Sequence, residues 1–134
     1  MPLIAHADTR PIEPASVLAL YAEEGWWPER TGEQVGRLLA AGPSVGAWDG
    51  DRLVGFARAV TDGVCRAYIE DVIVTGPMRG SSLGRRLMEA LRERLDATLA
   101  PGAVVSLFCG PDLVPFYEWN GFAFTSQRVG HHSR

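Results

Sequence analysis

The chain has 134 residues, 46% of them hydrophobic and 22% charged, a balance that suits one globular domain with a real core. A net charge of -3 argues against a general nucleic-acid binder, whose footprint is basic, and no apolar run is long enough to span a bilayer. All 13 basic residues are arginines, so a Walker-type phosphate loop and a lysine Schiff base are both excluded. Cys65 and Cys109 lie far apart without a CxxC pair, which suggests neither a zinc site nor a disulfide framework. With no signal peptide recognisable, the cytoplasm is the expected compartment.

In chain order, residues 3–8 (LIAHAD) read as a first strand. Pro14 suits a first helical turn, Val17, Leu18, Leu20 and Tyr21 form the apolar stripe of a helix to about Glu24, and Gly25 stops it. The following loop carries Trp26 and Trp27, two neighbours that rarely both point inward. One is expected as a lid over the core and the other on a binding cleft. Thr31 and Gln34 make a capping-box signature for a second helix through Leu38 and Leu39, ended at Ala41-Gly42-Pro43.

Three runs then alternate with turn residues: Val45 to Trp48, Leu53 to Val60 after Asp49-Gly50-Asp51, and Val64 to Val74 after Asp62-Gly63. This predicts an antiparallel meander. Two consecutive carboxylates, Glu70 and Asp71, interrupt the last run. Regular alternation sends them to opposite faces, and an unpaired buried charge is too costly. Either one faces a wet cleft, or both pair with arginines such as Arg58 or Arg66.

The helix that follows begins at about Ser82, with Leu83, Leu87, Ala90, Leu91, Leu95 and Leu99 at helical spacing. Its approach is unusual. Between Thr75 and Met88 there is no acidic residue, yet Arg79, Arg85 and Arg86 add positive charge to a helix start that already carries it. An anion absent from the sequence resolves the imbalance: a phosphate or pyrophosphate held by free backbone N–H groups and arginine.

After Ala100-Pro101-Gly102, Val104 to Phe108 reads as a short buried strand reached by a parallel crossover. Phe116-Tyr117-Glu118-Trp119 lies on a short helix ended by Asn120-Gly121, and Phe122 to Val129 reads as a last strand. Residues 131–134 are a polar tail in which His131 and His132 lack a carboxylate partner, so no metal site is expected. The whole predicts one α/β domain over residues 1–130, with a mixed sheet of about six strands and four helices.

The glycines after the third meander strand, Gly80 and Gly84, do not fit the dinucleotide fingerprint GxGxxG. The series Val74, Pro77, Arg79, Gly80, Ser82, Gly84 instead resembles the acetyl-CoA signature of the GNAT superfamily of N-acetyltransferases, with serine at 82 where that pattern usually has glycine. The segment from Val114 to Phe122 resembles the same family's second landmark, FYxxxGF, and the order of elements is similar over nearly the whole chain.

The resemblance implies a GNAT-like acyl-CoA N-acyltransferase fold that binds acetyl-CoA (coenzyme A). It places Val72, Ile73 and Val74 along pantetheine, and Arg79, Gly80, Ser81, Ser82, Leu83, Gly84 and Arg85 around the phosphates. It implies Tyr117 as the general acid for the leaving thiolate and Glu70 as the base toward the amine, with Asp71 as the alternative. The early helices wall the acceptor side in this family, making Trp26, Trp27 and Glu29 the candidates to hold an amine by cation–π contact and charge.

A small-molecule amine is the expected partner, with no nucleic acid and no membrane. A protein lysine or N-terminus, and a non-catalytic acyl-CoA sensor, are the alternatives. A Cys109 thiol hydrolase is disfavoured because His6, His131 and His132 all lie near the termini. Many relatives end in a two-strand hairpin, so a single last strand would leave the sheet edge open to a second copy, as a homodimer.

Overall fold

A computed structural model describes residues 1–132; of the expected tail over residues 131–134, Ser133 and Arg134 lie outside the described residues. The elements are β1 (Leu3–His6), α1 (Pro14–Glu24), α2 (Gly32–Ala41), β2 (Ser44–Asp49), β3 (Arg52–Thr61), β4 (Arg66–Val74), α3 (Leu83–Thr98), β5 (Val104–Ser106) and α4 (Val114–Trp119), with single 3-10 turns at Gly76–Met78 and Pro111–Leu113. The five strands form one mixed sheet in the order β1-β2-β3-β4-β5, antiparallel except for the parallel pair β4 and β5.

The sheet is covered on both faces, so its central strands read as apolar runs. On one face Leu83, Leu87, Met88, Leu91 and Leu95 of α3 pack on Val45, Val54 and Ile69. On the other, Val17, Leu20 and Tyr21 of α1 and Val35 of α2 pack on Phe56 and Ile73. The capping box forms as the sequence predicts: the Thr31 hydroxyl accepts from the Gln34 N–H, and the Gln34 side chain accepts from the Thr31 N–H.

Two features differ from the sequence reading, and both concern the cleft. β5 pairs with β4 only from Arg66 to Tyr68, opposite Val104 to Ser106, after which the two chains separate. The expected last strand over Phe122 to Val129 does not form, so among the described residues the sheet has five strands rather than six. The three-residue β5 offers too short an edge to template another strand, and the segment's first residue is drawn elsewhere. The Phe122 N–H bonds Tyr117 O at 3.0 Å, Gly121 turns the chain at φ +91°, and the Phe122 ring packs edge-on against Tyr117.

Candidate functional site

Where β4 and β5 part, the sheet opens into a cleft made of two adjoining cavities of about 540 Å³ and about 610 Å³. They share Val72, Leu113 and Tyr117, so Tyr117 stands at the waist between them.

The larger cavity is bounded by the end of β4 and the start of α3. The Thr75 N–H bonds Val54 O at 2.9 Å on the β3 side. By strand alternation the N–H and C=O of Val74 point the other way, into the gap that β5 has left. Ile73, expected along pantetheine, is core instead: its side chain is buried on the α1 face, its backbone groups turn toward β3, and it lines neither cavity.

At the far end of this cavity α3 begins without a side-chain cap and with no acidic residue in its first turn. The amides of its first turn have no intrahelical acceptor and the helix dipole adds positive potential, which together suit an anion. Gly80 (φ +79°) and Ser82 (φ +65°) are both left-handed, shaping a backbone cradle there. Gly84 serves contact rather than turn geometry, since a Cβ on it would meet the Phe116 ring at 3.2 Å. That close approach seats α4, and Tyr117 with it, against α3.

The arginines expected around this anion site divide. Arg79 lines the cavity, donates to Val74 O at 3.2 Å and pairs with Glu24 at the end of α1. Arg85 lines it too while pairing with Glu89 at 3.0 Å. Arg86 turns away and donates to Pro2 O at 3.0 Å, which removes it from the site. Ser81 does not line the cavity, and its hydroxyl donates to Met78 O.

The second cavity is walled by Trp26 and Trp27 on one side and by Tyr68 and Phe108 on the other, with β4 from Ile69 to Val72 between them. The Tyr68 and Phe108 rings lie 5.4 Å apart, tilted at 35°, and His131 packs edge-on against Phe108. Both tryptophans line the cavity and both are part exposed, so neither is the core lid expected of one of them. Glu29 is exposed and does not line this cavity. One face of Trp27 carries the Arg30 guanidinium at 4.3 Å, so that face is already used for a cation–π contact.

Glu70 and Asp71 do not point opposite ways. The β3–β4 register shifts between Phe56 and Arg58, setting Asp71 and Val72 together opposite Ala57, and Asp71 takes φ +56°. This β-bulge breaks the alternation, and both carboxylates reach one guanidinium. Arg58 donates from Nη2 to Glu70 at 2.6 Å and from Nε to Asp71 at 2.8 Å.

Asp71 also accepts from the Tyr21 hydroxyl at 2.7 Å, Arg30 at 3.0 Å and Trp27 Nε1 at 3.2 Å, with its side chain 1% exposed. Burial pushes its carboxyl up, but the bonds from Arg58 and Tyr21 and the charges of Arg58 and Arg30 outweigh burial and hold it below the usual range. Fully engaged and ionised, Asp71 is in no position to take a proton from a substrate. Glu70, with a side chain 26% exposed and a single Arg58 bond, is the carboxylate that the cavity can reach.

Burial, with smaller contributions from Cys109 and Tyr68, pushes the Tyr117 phenol up to about 12. Among the described residues its hydroxyl has no hydrogen-bond partner. Cys109 lines the same cavity, but burial and then Asp112 raise its thiol, which suits neither a nucleophile nor a metal ligand. Among the described residues no cluster of three or more His, Cys, Asp or Glu could hold a metal ion, and no helix is long and apolar enough to cross a membrane.

Sequence reasoning missed Tyr21, Arg30, Tyr68 and Phe108. Only Tyr68 carried a signal, two positions before Glu70 on the same strand. The others converge through tertiary contacts.

Comparison with known proteins sets this geometry in context. The model of the acetyltransferase (GNAT) family matches residues 6–122. Serotonin N-acetyltransferase 2, chloroplastic, of Oryza sativa subsp. japonica is 37% identical over 117 residues, which is 82% of this chain and 56% of that protein. The chain spans between 27% and 56% of the lengths of the curated relatives it matches here. Among solved structures, protein SA2161 from meticillin-resistant Staphylococcus aureus superposes with a TM-score of 0.85 at 24% identity, covering 100% of this chain and 98% of that one. An aminoglycoside 6'-N-acetyltransferase complexed with coenzyme A superposes with a TM-score of 0.64 at 22% identity, covering 78% and 60%.

Proposed function

The chain belongs to the GNAT acetyltransferase family, and from that premise we propose that it transfers an acetyl group from acetyl-CoA to the primary amine of a small molecule, by direct attack within a ternary complex. The observation that carries this reading is Tyr117 at the waist of the cleft, with an anion-suited helix start on one side and Glu70 in an aromatic cavity on the other. A pure CoA-binding module has no need of the second cavity.

The donor fits the larger cavity chemically. The uncapped α3 start and the Gly80–Ser82 cradle suit its pyrophosphate, with Arg79 exchanging Glu24 for phosphate, while the outward backbone of Val72 and Val74 suits the pantetheine amides. Acetyl-CoA supplies the thioester carbonyl. The Val74 N–H is aimed to polarise that carbonyl as negative charge develops on its oxygen.

Glu70 accepts a proton from the incoming ammonium, directly or through water, freeing the nitrogen lone pair. Tyr117 donates its phenolic proton to the departing thiolate sulfur. The new N–C bond forms as the C–S bond breaks. The nitrogen then sheds a second proton, which offsets the one Tyr117 gives to sulfur, while the first, taken by Glu70, passes to solvent as the net proton released.

The acceptor cavity offers one reachable carboxylate between two aromatic walls. A polyamine or an aminoglycoside, with several cations, would need more acids than this. An amine with a single cation on a flat apolar body fits better, and the rice relative is named for such an amine, serotonin. The test is acetyl-CoA turnover, followed by thiol release, over a panel of arylalkylamines, polyamines, aminoglycosides and peptides. Arylalkylamines are expected to lead in kcat/KM by tenfold or more. Tight CoA binding without turnover on any amine would replace this reading with a sensor, and preference for peptides would make the chain a protein acetyltransferase.

A further inference from the structure

Among the described residues three non-glycines adopt left-handed backbone conformations, Trp27, Asp71 and Ser82, and all three line the cleft. Two of them, Trp27 and Asp71, are 44 positions apart in sequence yet bonded to each other through the indole N–H. Such conformations persist where the surroundings over-determine them, and they concentrate at functional sites.

The surroundings of Asp71 do over-determine it. Its carboxylate collects donors from α1 (Tyr21), from the loop between α1 and α2 (Trp27, Arg30) and from β3 (Arg58). Two of these partners belong to the acceptor half of the cleft. Trp27 is one aromatic wall, and Arg58 is the group that holds Glu70. Through Arg30, which lies over the Trp27 ring, Asp71 grips the wall a second time.

We propose that Asp71 is the positioning residue of the acceptor half: one buried carboxylate that fixes the Trp27 wall and, through Arg58, sets the orientation of Glu70. It touches no reacting atom. The β-bulge exists to serve this geometry, because regular pairing would send Asp71 to the face opposite Glu70 and leave Arg58 shared with neither loop nor wall. The four formal charges, Glu70 and Asp71 against Arg30 and Arg58, balance within the cluster. The cavity therefore keeps Glu70 polarised toward a positioned arginine without carrying a net charge into the core. The kinetic part of this proposal rests on the acetyltransferase reading; the structural part does not.

The test is Asp71→Asn, which keeps the shape and tolerates a left-handed backbone while removing the charge. Trp27→Phe, which keeps the ring and deletes the donor, runs beside it. The indole N–H resonance of Trp27, identified by its loss in Trp27→Phe, is expected to shift in Asp71→Asn. The kcat/KM for the preferred amine should fall tenfold to a hundredfold, as for displacement of a catalytic group from a distance, while the KM for acetyl-CoA stays within twofold. Should Asp71→Asn fail to fold because of its excess positive charge, the double variant Asp71→Asn with Arg30→Gln restores the balance and carries the same expectations.

An unmoved indole resonance with amine kcat/KM within twofold of wild type overturns the proposal. So does an equal loss toward both substrates, which would mark Asp71 as general scaffolding. If the wild-type chain turns over no amine, the acetyltransferase reading falls by itself. The indole shift, read with an unchanged affinity for CoA, then still decides whether Asp71 positions the wall.

Discussion

Replacing Tyr117 by phenylalanine tests the acid at the waist of the cleft, and the structure sets the size of the effect. General acid help is worth about two to four decades. The proton of Tyr117 is held with a pKa of about 12, whereas an ordinary thiol titrates near ~8.5. Transfer to a fully formed thiolate is therefore uphill by roughly three to four pH units, which places the contribution at the low end, about a hundredfold or ~2.7 kcal/mol of barrier.

The fold should not notice the change. Phenylalanine keeps the edge-on contacts with Phe116 at 5.0 Å and Phe122 at 6.2 Å, and the deleted hydroxyl has no hydrogen-bond partner among the described residues. The expected result is kcat lower by about two decades, with CoA affinity and Tm unchanged. The assay is thiol release under saturating amine, repeated with an acetyl thioester whose leaving thiol is markedly more acidic. That leaving group needs no proton, so the deficit should nearly vanish. A kcat within threefold of wild type, or the same deficit with both thioesters, would refute the acid role. Because a pKa of about 12 keeps the phenol protonated, no basic limb from Tyr117 should appear in the pH profile below about pH 11.

Other outcomes can be measured independently. Ser82→Gly relieves a left-handed serine whose side chain caps nothing, a gain of ~1–2 kcal/mol offset by ~0.5–1 kcal/mol of glycine backbone entropy. A Tm rise of about 2–3 °C is expected, against no rise for Ser82→Ala, and equal behaviour of the two variants would contradict the strain assignment. Arg79→Glu should weaken CoA about a hundredfold in a binding titration while leaving a pantetheine fragment without pyrophosphate unaffected. Glu24→Gln, which frees Arg79, should tighten CoA by up to about fivefold, the range of an exposed ion pair; weaker binding would show that Glu24 organises the site instead of competing for it. In the β3–β4 turn, Asp62 accepts N–H bonds from Val64, Cys65 and Arg66, which hold its carboxyl down at about 2. A depressed folded-state pKa gives stability that is present above the ordinary carboxylate range and lost as pH falls through about 2. Between pH 4 and 2 the wild-type Tm should therefore fall more steeply than that of Asp62→Asn, and parallel curves would exclude this contribution.

The uncapped helix start and glycine turns of the larger cavity were legible in the sequence because they are built from local chemistry. A helix start without acids, glycines at fixed offsets and a proline-led turn are neighbours along the chain, and their roles follow from backbone geometry within some fifteen residues. Arg86 shows the limit even there: helical spacing could not say that Pro2, far away in sequence, would take its guanidinium. The C-terminal segment failed differently. Phe122 to Val129 has strand composition, but a strand needs an edge to pair with, and β5 ends after three residues.

Besides Glu29 and the tryptophan lid, the aromatic cavity was misread at Asp71, and that error explains itself. Period-two alternation holds only while every residue of a strand has a partner, and nothing in the Glu70-Asp71-Val72 run marks a bulge: there is no glycine to accept φ +56°, and the next residue is β-branched. Local preference argues for a regular strand. Four hydrogen bonds from three distant segments argue for the bulge, three of them involving a charged donor or a phenol on a buried carboxylate, and together they exceed the ~1–3 kcal/mol that one left-handed residue costs. Sequence rules fail where tertiary bonding overrides local conformation, and a protein accepts that override where geometry must be held against strain. The residue at which the strand pattern broke is for that reason the one that ties the Trp27 wall, through Arg58, to Glu70.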